Sequence, residues 1–229
     1  MKKIAALLVA GALVLTGCNM SKLASGSLIG SGAGAAIGAG IGYLIGGDGQ
    51  SAAIGAAAGM AVGGGTGAVI GHQMDKKAAE LKELENAQIE TVEDVNGLKA
   101  IKVTFSSGIL FPTNGTTLTD AAQAELKKFA ADMADMEMTN ITVYGHTDNT
   151  GTASVNERIS TQRAQAVSKV LEKNGIAGKR ITTQGLSFNF PVADNNTVEG
   201  RAQNRRVEIY VSANEEMIKA AEQAAAQQN

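Results

Sequence analysis

The sequence predicts an α+β fold for the C-terminal half of this 229-residue chain, preceded by an all-α helical hairpin in its first third. Three observations carry that prediction. Most of the 28 glycines crowd into the N-terminal third. An Asn96-Gly97 turn joins two β-rich runs near the middle. Beyond it, amphipathic helical stretches alternate with short apolar strands, the order expected of helices packed on one sheet.

The elements follow from the N-terminus. Lys2-Lys3 and the apolar run Ile4 to Leu15 form an export signal, too short to span a bilayer comfortably. The signal ends at Leu15-Thr16-Gly17-Cys18, which resembles the lipobox of bacterial lipoproteins. In that family the cysteine is diacylated and becomes the mature N-terminus. Residues 1–17 are then the signal peptide and 18–27 a lipidated N-terminus and linker. Cys18 is the only cysteine, so no disulfide forms within one chain, and lipidation would consume a thiol otherwise unpaired in an oxidising compartment. The next residue is Asn19 rather than the aspartate that resembles an inner-membrane retention signal, which implies sorting to the outer membrane.

Residues 28–72 carry the glycine repeat. Gly26, Gly30, Gly34, Gly38, Gly42 and Gly46 fall every fourth residue, and the pattern resumes at Gly55, Gly59, Gly63, Gly67 and Gly71. Each glycine costs a soluble helix about 1 kcal/mol relative to alanine. In an apolar medium the balance reverses, because backbone groups must bond internally and small residues at i, i+4 let helices approach closely. Uncharged runs of about twenty residues flank Gly47-Asp48-Gly49-Gln50, so a helical hairpin with glycine-zipper faces is expected, similar to the glycine-zipper domains of envelope proteins. A flexible Gly/Ala linker is the alternative. The periodicity leaves open whether the hairpin spans lipid, packs on itself or forms a homo-oligomer.

A charged stretch, Asp75 to Glu83, reads as a short solvated helix or stalk, within a linker at 73–86. The second module, residues 87–213, opens with β-rich runs Gln88 to Val95 and Leu98 to Phe105 around Asn96-Gly97, a strong hairpin signal. Thr119-Asp120 starts a helix expected to reach about Met136, with Ala122, Leu126, Phe129 and Met133 on its buried face. Ile141 to Tyr144 is a strand. Ser154 to Lys173 is a helix whose expected buried stripe is Val155, Ile159, Val167, Val170 and Leu171. Ile181 to Leu186 and Val207 to Val211 are further strands, and residues 214–229 a helical tail expected to fray.

The stretch Tyr144 to Gly151, "YGHTDNTG", followed by "NERISTQRAQAVSKVL" and "GRAQNRRVEI", resembles the C-terminal OmpA-like peptidoglycan-binding domain. The similarity covers about Val103 to Ser212. The family's helix motif stands here as Asn156, Ile159-Ser160, Arg163-Ala164, Val167 and Leu171, with Ile in place of Leu. A βαβαββ sandwich is implied. Together the lipobox, glycine zipper and OmpA-like domain resemble the YiaD type of outer-membrane lipoprotein.

The ligand implied by the resemblance is the diaminopimelate of peptidoglycan, whose free end carries an ammonium and a carboxylate on one carbon. Asp148 would accept from the ammonium, and Arg163 would offer its planar fork to the carboxylate. Asn156, Thr150 and Arg205 match further positions lining the family's pocket. Asn156, Ser160 and Arg163 share one helical stripe, expected to face the Asp148 loop while Val155, Ile159 and Val167 face the core. Turn chemistry alone would also account for Asp148-Asn149 before Gly151. One position departs from the family: Pro112 stands after Phe111 where an aspartate often occurs, removing a second anchor for an ammonium.

Other chemistries find little support. Net charge is −2 without a basic cluster, which argues against nucleic acid. His72 and His146 are the only histidines and fall in different modules, so no metal site and no cofactor are expected. His146 and Asp148 form no evident dyad, and no nucleophile context occurs, so the chain is not expected to be an enzyme. The expected role is a tether. It would be lipid-anchored in the outer membrane through Cys18, with the C-terminal domain in the periplasm gripping peptidoglycan and supporting envelope integrity. In the alternative, the glycine zipper is the working unit, a membrane oligomer or assembly factor, and the OmpA-like domain only an anchor.

Overall fold

The computed structural model describes residues 64–227 apart from 95, 113 and 114. The signal segment, Cys18 and nearly all of the glycine repeat lie outside the described residues. Along the chain run α1 (Gly64–Leu81), β1 (Ala87–Glu93), β2 (Lys99–Ser106), α2 (Ser107–Leu110), α3 (Asp120–Asp132), β3 (Thr139–Gly145), α4 (Ala153–Lys173), β4 (Ile181–Gly185), α5 (Val198–Asn204), β5 (Arg206–Ala213) and α6 (Glu215–Ala226). Five strands form one mixed sheet in the order β1-β2-β5-β3-β4. Only β3 and β4 are parallel, and α4 is their crossover. The α+β sandwich expected from the sequence is present, with two short helices that the sequence reading did not signal, α2 and α5.

The hairpin forms around Asn96-Gly97 because Asp94 organises it. Its Oδ1 accepts from the amides of Asn96 at 2.8 Å and Leu98 at 2.9 Å, and Gly97 supplies the positive φ of 68°. Alternation then sorts the sheet. Val103, Ile209 and Val143 stand in one cross-strand row, and with Ile101, Phe105, Ile141, Val207 and Val211 they meet the helices in the main core. The opposite face carries a smaller cluster of Val92, Ala100, Tyr144, Leu186 and Tyr210, packed against Phe190.

Helix α3 begins as expected, with Thr119 Oγ1 accepting from the Ala122 amide at 3.1 Å, and buries Ala122, Leu126 and Phe129. It stops at Asp132, short of Met136. Arg180, from the turn before β4, donates to the carbonyls of Met136 at 2.7 Å and Thr139 at 2.8 Å, holding that segment as the turn into β3.

Two expectations are corrected at the ends of the domain. The charged run Asp75 to Glu83 is not a solvated stalk. It belongs mostly to α1, whose Ile70, Met74, Ala78 and Leu81 lie in the main core. Lys77 is itself buried and bonds Asp135 at 2.7 Å and the Asp132 carbonyl at 2.8 Å, tying α1 to the end of α3. The tail helix is not a free appendage either. Asn214 caps α6, Met217 and Ala221 are buried, and the helix lies so close to α1 that a Cβ on Gly65 would sit 3.0 Å from that of Ala225. No helix among the described residues is long and apolar enough to cross a membrane.

Candidate functional site

The buried stripe of α4 differs from the one its apolar periodicity indicated. Val155 is 40% exposed and Ile159 only half-buried, while Asn156, Ser160, Arg163, Ala164, Val167 and Leu171 are buried. The cause lies in the strands beneath. Gly145 and Gly185 are register partners on β3 and β4, and their missing side chains let α4 lie directly on the backbone. A Cβ on Gly145 would come within 2.8 Å of the Ser160 carbonyl carbon, and one on Gly185 within 2.6 Å of Ser160 Oγ. The polar N-terminal half of α4 is therefore pressed inward beside the loop that leaves β3, where its polar groups find partners.

That loop holds Asp148. Its Oδ1 accepts from the Thr150 amide at 2.8 Å, which is the turn chemistry the local sequence suggested. Its Oδ2 accepts from Arg205 Nη1 at 2.6 Å. Burial alone would raise the carboxyl pKa, but the bonds from Arg205 and Thr150 hold it below the usual carboxylate range. Asn156 closes the turn by donating from Nδ2 to the Thr150 carbonyl at 3.0 Å, while Gly151 adopts a φ of 92°. Thr150 itself is exposed.

Arg163 is 5% exposed. Its Nε donates to the Gly115 carbonyl at 3.1 Å, and its guanidinium lies 5.2 Å from the centroid of the Phe111 ring, a cation–π contact. Among the described residues this Nε bond is the one side-chain hydrogen bond that Arg163 makes. Burial and the charge of Arg205 press its pKa down and Asp148 opposes them, so these three groups interact electrostatically.

The structure thus gathers Asp148, Thr150, Asn156, Arg163 and Arg205 around the end of β3. It also shows contributors that pattern reading missed. Phe111 and the Gly115 carbonyl fix Arg163. Fully buried Asn204 accepts at Oδ1 from the amides of Val192 at 2.8 Å and Ala193 at 3.0 Å, and donates to Asn195 Oδ1 at 2.9 Å. Asn195 Oδ1 in turn accepts from the Asn149 amide at 3.3 Å, joining the loop after β4 to the Asp148 loop. A helix-terminal Asn beside Arg205 was the only local signal for this staple; a backbone carbonyl leaves none.

His146 points elsewhere. It is buried on the sheet's other face, with Nε2 3.6 Å from Glu208 Oε2 and neither ring nitrogen hydrogen-bonded. Glu208 accepts from Arg206 Nε at 2.6 Å and from Tyr210 Oη at 2.9 Å. No cluster of metal-ligating side chains occurs among the described residues.

Residues 110–205, a span bounded by Leu110 and Arg205, match the model of the OmpA family, and residues 1–75 match that of the YMGG-like Gly-zipper. The chain is 37% identical over 213 residues to "Probable lipoprotein YiaD" of Escherichia coli, covering 90% of this chain and 95% of that one. It is 40% identical over 113 residues to "Peptidoglycan-binding protein ArfA" of Mycobacterium tuberculosis, 49% of this chain and 35% of that protein's length. Among solved structures it resembles the cell wall anchor of the T6SS from Pseudomonas aeruginosa, at 32% identity and a TM-score of 0.51 over 61% of this chain and 96% of that one. A MotB-like protein from Desulfovibrio vulgaris shares the fold at 24% identity and a TM-score of 0.56, over 64% of this chain and 95% of that one.

Proposed function

Because this chain belongs to the OmpA family, in the type that joins an N-terminal glycine zipper to an OmpA-like domain, we propose that it is a non-catalytic tether between the outer membrane and the cell wall. The C-terminal domain grips the diaminopimelate of peptidoglycan, and lipid on Cys18 holds the other end in the outer membrane, with the domain in the periplasm. One observation carries the reading most strongly. Arg163 is buried, braced by Gly115 and Phe111, and makes its one side-chain hydrogen bond among the described residues through Nε, beside an ionised Asp148. A guanidinium held in this way is pre-organised for a carboxylate. Charge-assisted hydrogen bonds contribute about 1.5–3 kcal/mol each, so two or three supply about 3–9 kcal/mol before ordering costs, against the roughly 8 kcal/mol of micromolar binding. Pro112 offers no carboxylate here; its carbonyl accepts from the Gly115 amide at 2.8 Å and so shapes the bend that brings Gly115 to Arg163.

The test is co-sedimentation of the full chain in detergent with intact sacculi. Asp148→Ala combined with Arg163→Ala should abolish retention while the circular dichroism spectrum stays that of a folded protein. Undiminished retention of the folded double variant would sink the site.

A further inference from the structure

The histidine that the ligand pocket leaves unused stands two residues before Asp148, and its contacts lead back to that pocket. It follows Gly145, the last residue of β3, and its amide donates to the Arg206 carbonyl at 2.9 Å. The side chains of His146, Arg206 and Glu208 are all buried, and one carboxylate serves the other two. Glu208 Oε1 accepts from Arg206 Nε at 2.6 Å, and Oε2 stands 3.6 Å from His146 Nε2 while accepting from Tyr210 Oη at 2.9 Å. Lys102 on β2 also acts on His146 and has its own partner in Glu90. Tyr144 on β3 meets Tyr210 edge to face at 5.5 Å, with its Oη unbonded. Residues 186–190, after β4, bring no titratable side chain.

Charge is balanced there only while His146 is neutral, since Glu208 answers Arg206 and Glu90 answers Lys102. An imidazolium would be a third cation facing two carboxylates where water screens little. Neither ring nitrogen has a hydrogen bond among the described residues, and burial keeps the ring neutral to more acid pH than usual. A proton makes both nitrogens donors, and Glu208 can meet one of them only by easing off Arg206. Arg206 has neighbours of consequence. Its guanidinium also donates to the carbonyls of Asn204 at 3.3 Å and Phe190 at 3.1 Å, so it clasps the chain immediately before Arg205. Arg205 in turn donates to Asp148 Oδ2 at 2.6 Å.

We propose that His146 is a positioning residue, acting through Glu208 and Arg206 to keep Arg205 on Asp148, so that gaining a proton loosens the site's grip on its ligand. The inference rests on the peptidoglycan reading above and adds its regulation. By linkage the ligand and the proton oppose one another: acid weakens binding, and bound ligand makes His146 harder to protonate. The ligand itself does not supply this effect. Its carboxylates stay ionised down to about pH 5, and its amine only gains protons, which would tighten the contact with Asp148.

Isothermal titration of the full chain in detergent, at about pH 7 and about pH 5, with an N-acetylated synthetic tripeptide ending in diaminopimelate tests this. In the parent, affinity should fall roughly fivefold or more at the lower pH while circular dichroism shows the fold unchanged. His146→Gln should bind equally at both. A second measurement leaves His146 in place: in His72→Gln, whose single imidazole is His146, saturating tripeptide should move the ring-proton titration followed by NMR to lower pH. Equal parent affinity at both pH values, a fall that persists in folded His146→Gln, or a titration unmoved by the tripeptide would overturn the inference and leave the peptidoglycan reading standing. A folded parent that binds no tripeptide at about pH 7 would remove both.

Discussion

Substituting Gly145 by alanine places one methyl group where the two halves of the candidate site meet. In the native fold the added Cβ would lie 2.8 Å from the carbonyl carbon and 3.2 Å from the Cα of Ser160, both backbone atoms of α4. Ordinary carbon–carbon contact begins at about 3.5 Å, so the helix and the strand must part by about 1 Å. Neither side yields cheaply, since β3 is bonded to both β4 and β5 and α4 is anchored by Ala164, Val167 and Leu171 in the core. Overpacking of this kind costs about 1–3 kcal/mol, and backbone on both sides places Gly145→Ala at the upper end. The same movement draws Asn156 and Arg163 away from the Asp148 loop, which hydrogen bonds of about 3 Å cannot follow. Urea denaturation of the full chain should show a lowered midpoint at unchanged slope, and sacculus co-sedimentation a loss of roughly tenfold or more in affinity. Gly67→Ala is the control: nothing lies within 4 Å of its Cβ position in α1, and helix propensity should make it neutral or stabilising by up to about 1 kcal/mol. An unchanged midpoint and unchanged binding in Gly145→Ala would refute the view that glycine contact sets the position of α4.

The core and the buried histidine lead to three further outcomes. Leu81→Ala should cost about 2–5 kcal/mol in urea denaturation, and a fragment beginning at residue 86 should lose cooperative unfolding while one beginning at 64 keeps it, because α1 supplies Ile70, Met74 and Leu81 to the core; equal stability of the two fragments would return residues 73–85 to the status of a linker. Burial lowers the His146 pKa from its ordinary 6.5, with the charges of Arg206 and Lys102 adding to the effect and Glu208 opposing it. A base depressed in the folded state binds protons more readily when unfolded, so its contribution is complete above pH 6.5 and is lost as pH falls below that. His146→Gln should flatten stability between about pH 6.5 and 5 while the carboxylate-driven loss below about pH 4.5, to which Glu208 contributes, remains; a pH profile identical to the parent's would refute the assignment.

The sequence by itself determined the features that local chemistry controls. The Asn96-Gly97 turn, the Thr119 helix start, the strand over Leu98 to Phe105, and the loop geometry of Asp148 to Gly151 depend on residues a few positions apart. They appear where the pattern placed them. The candidate site residues Asp148, Asn156 and Arg163 were named from the resemblance of their motifs to the OmpA-like domain. Only the tertiary structure decided which neighbours those residues meet. It paired Asp148 with Arg205, 57 positions away, and seated Arg163 on a backbone carbonyl 48 positions earlier. It turned the polar stripe of α4 inward in place of Val155 and Ile159, and drew α1 and α6 into a core that composition had assigned to stalk and tail. The physical reason is common to all four. Periodicity reports how apolar a face is, whereas the face that is buried depends on what lies opposite. Beneath α4 lie two glycines that admit backbone and polar groups at close range, and no stretch of ten residues carries that information.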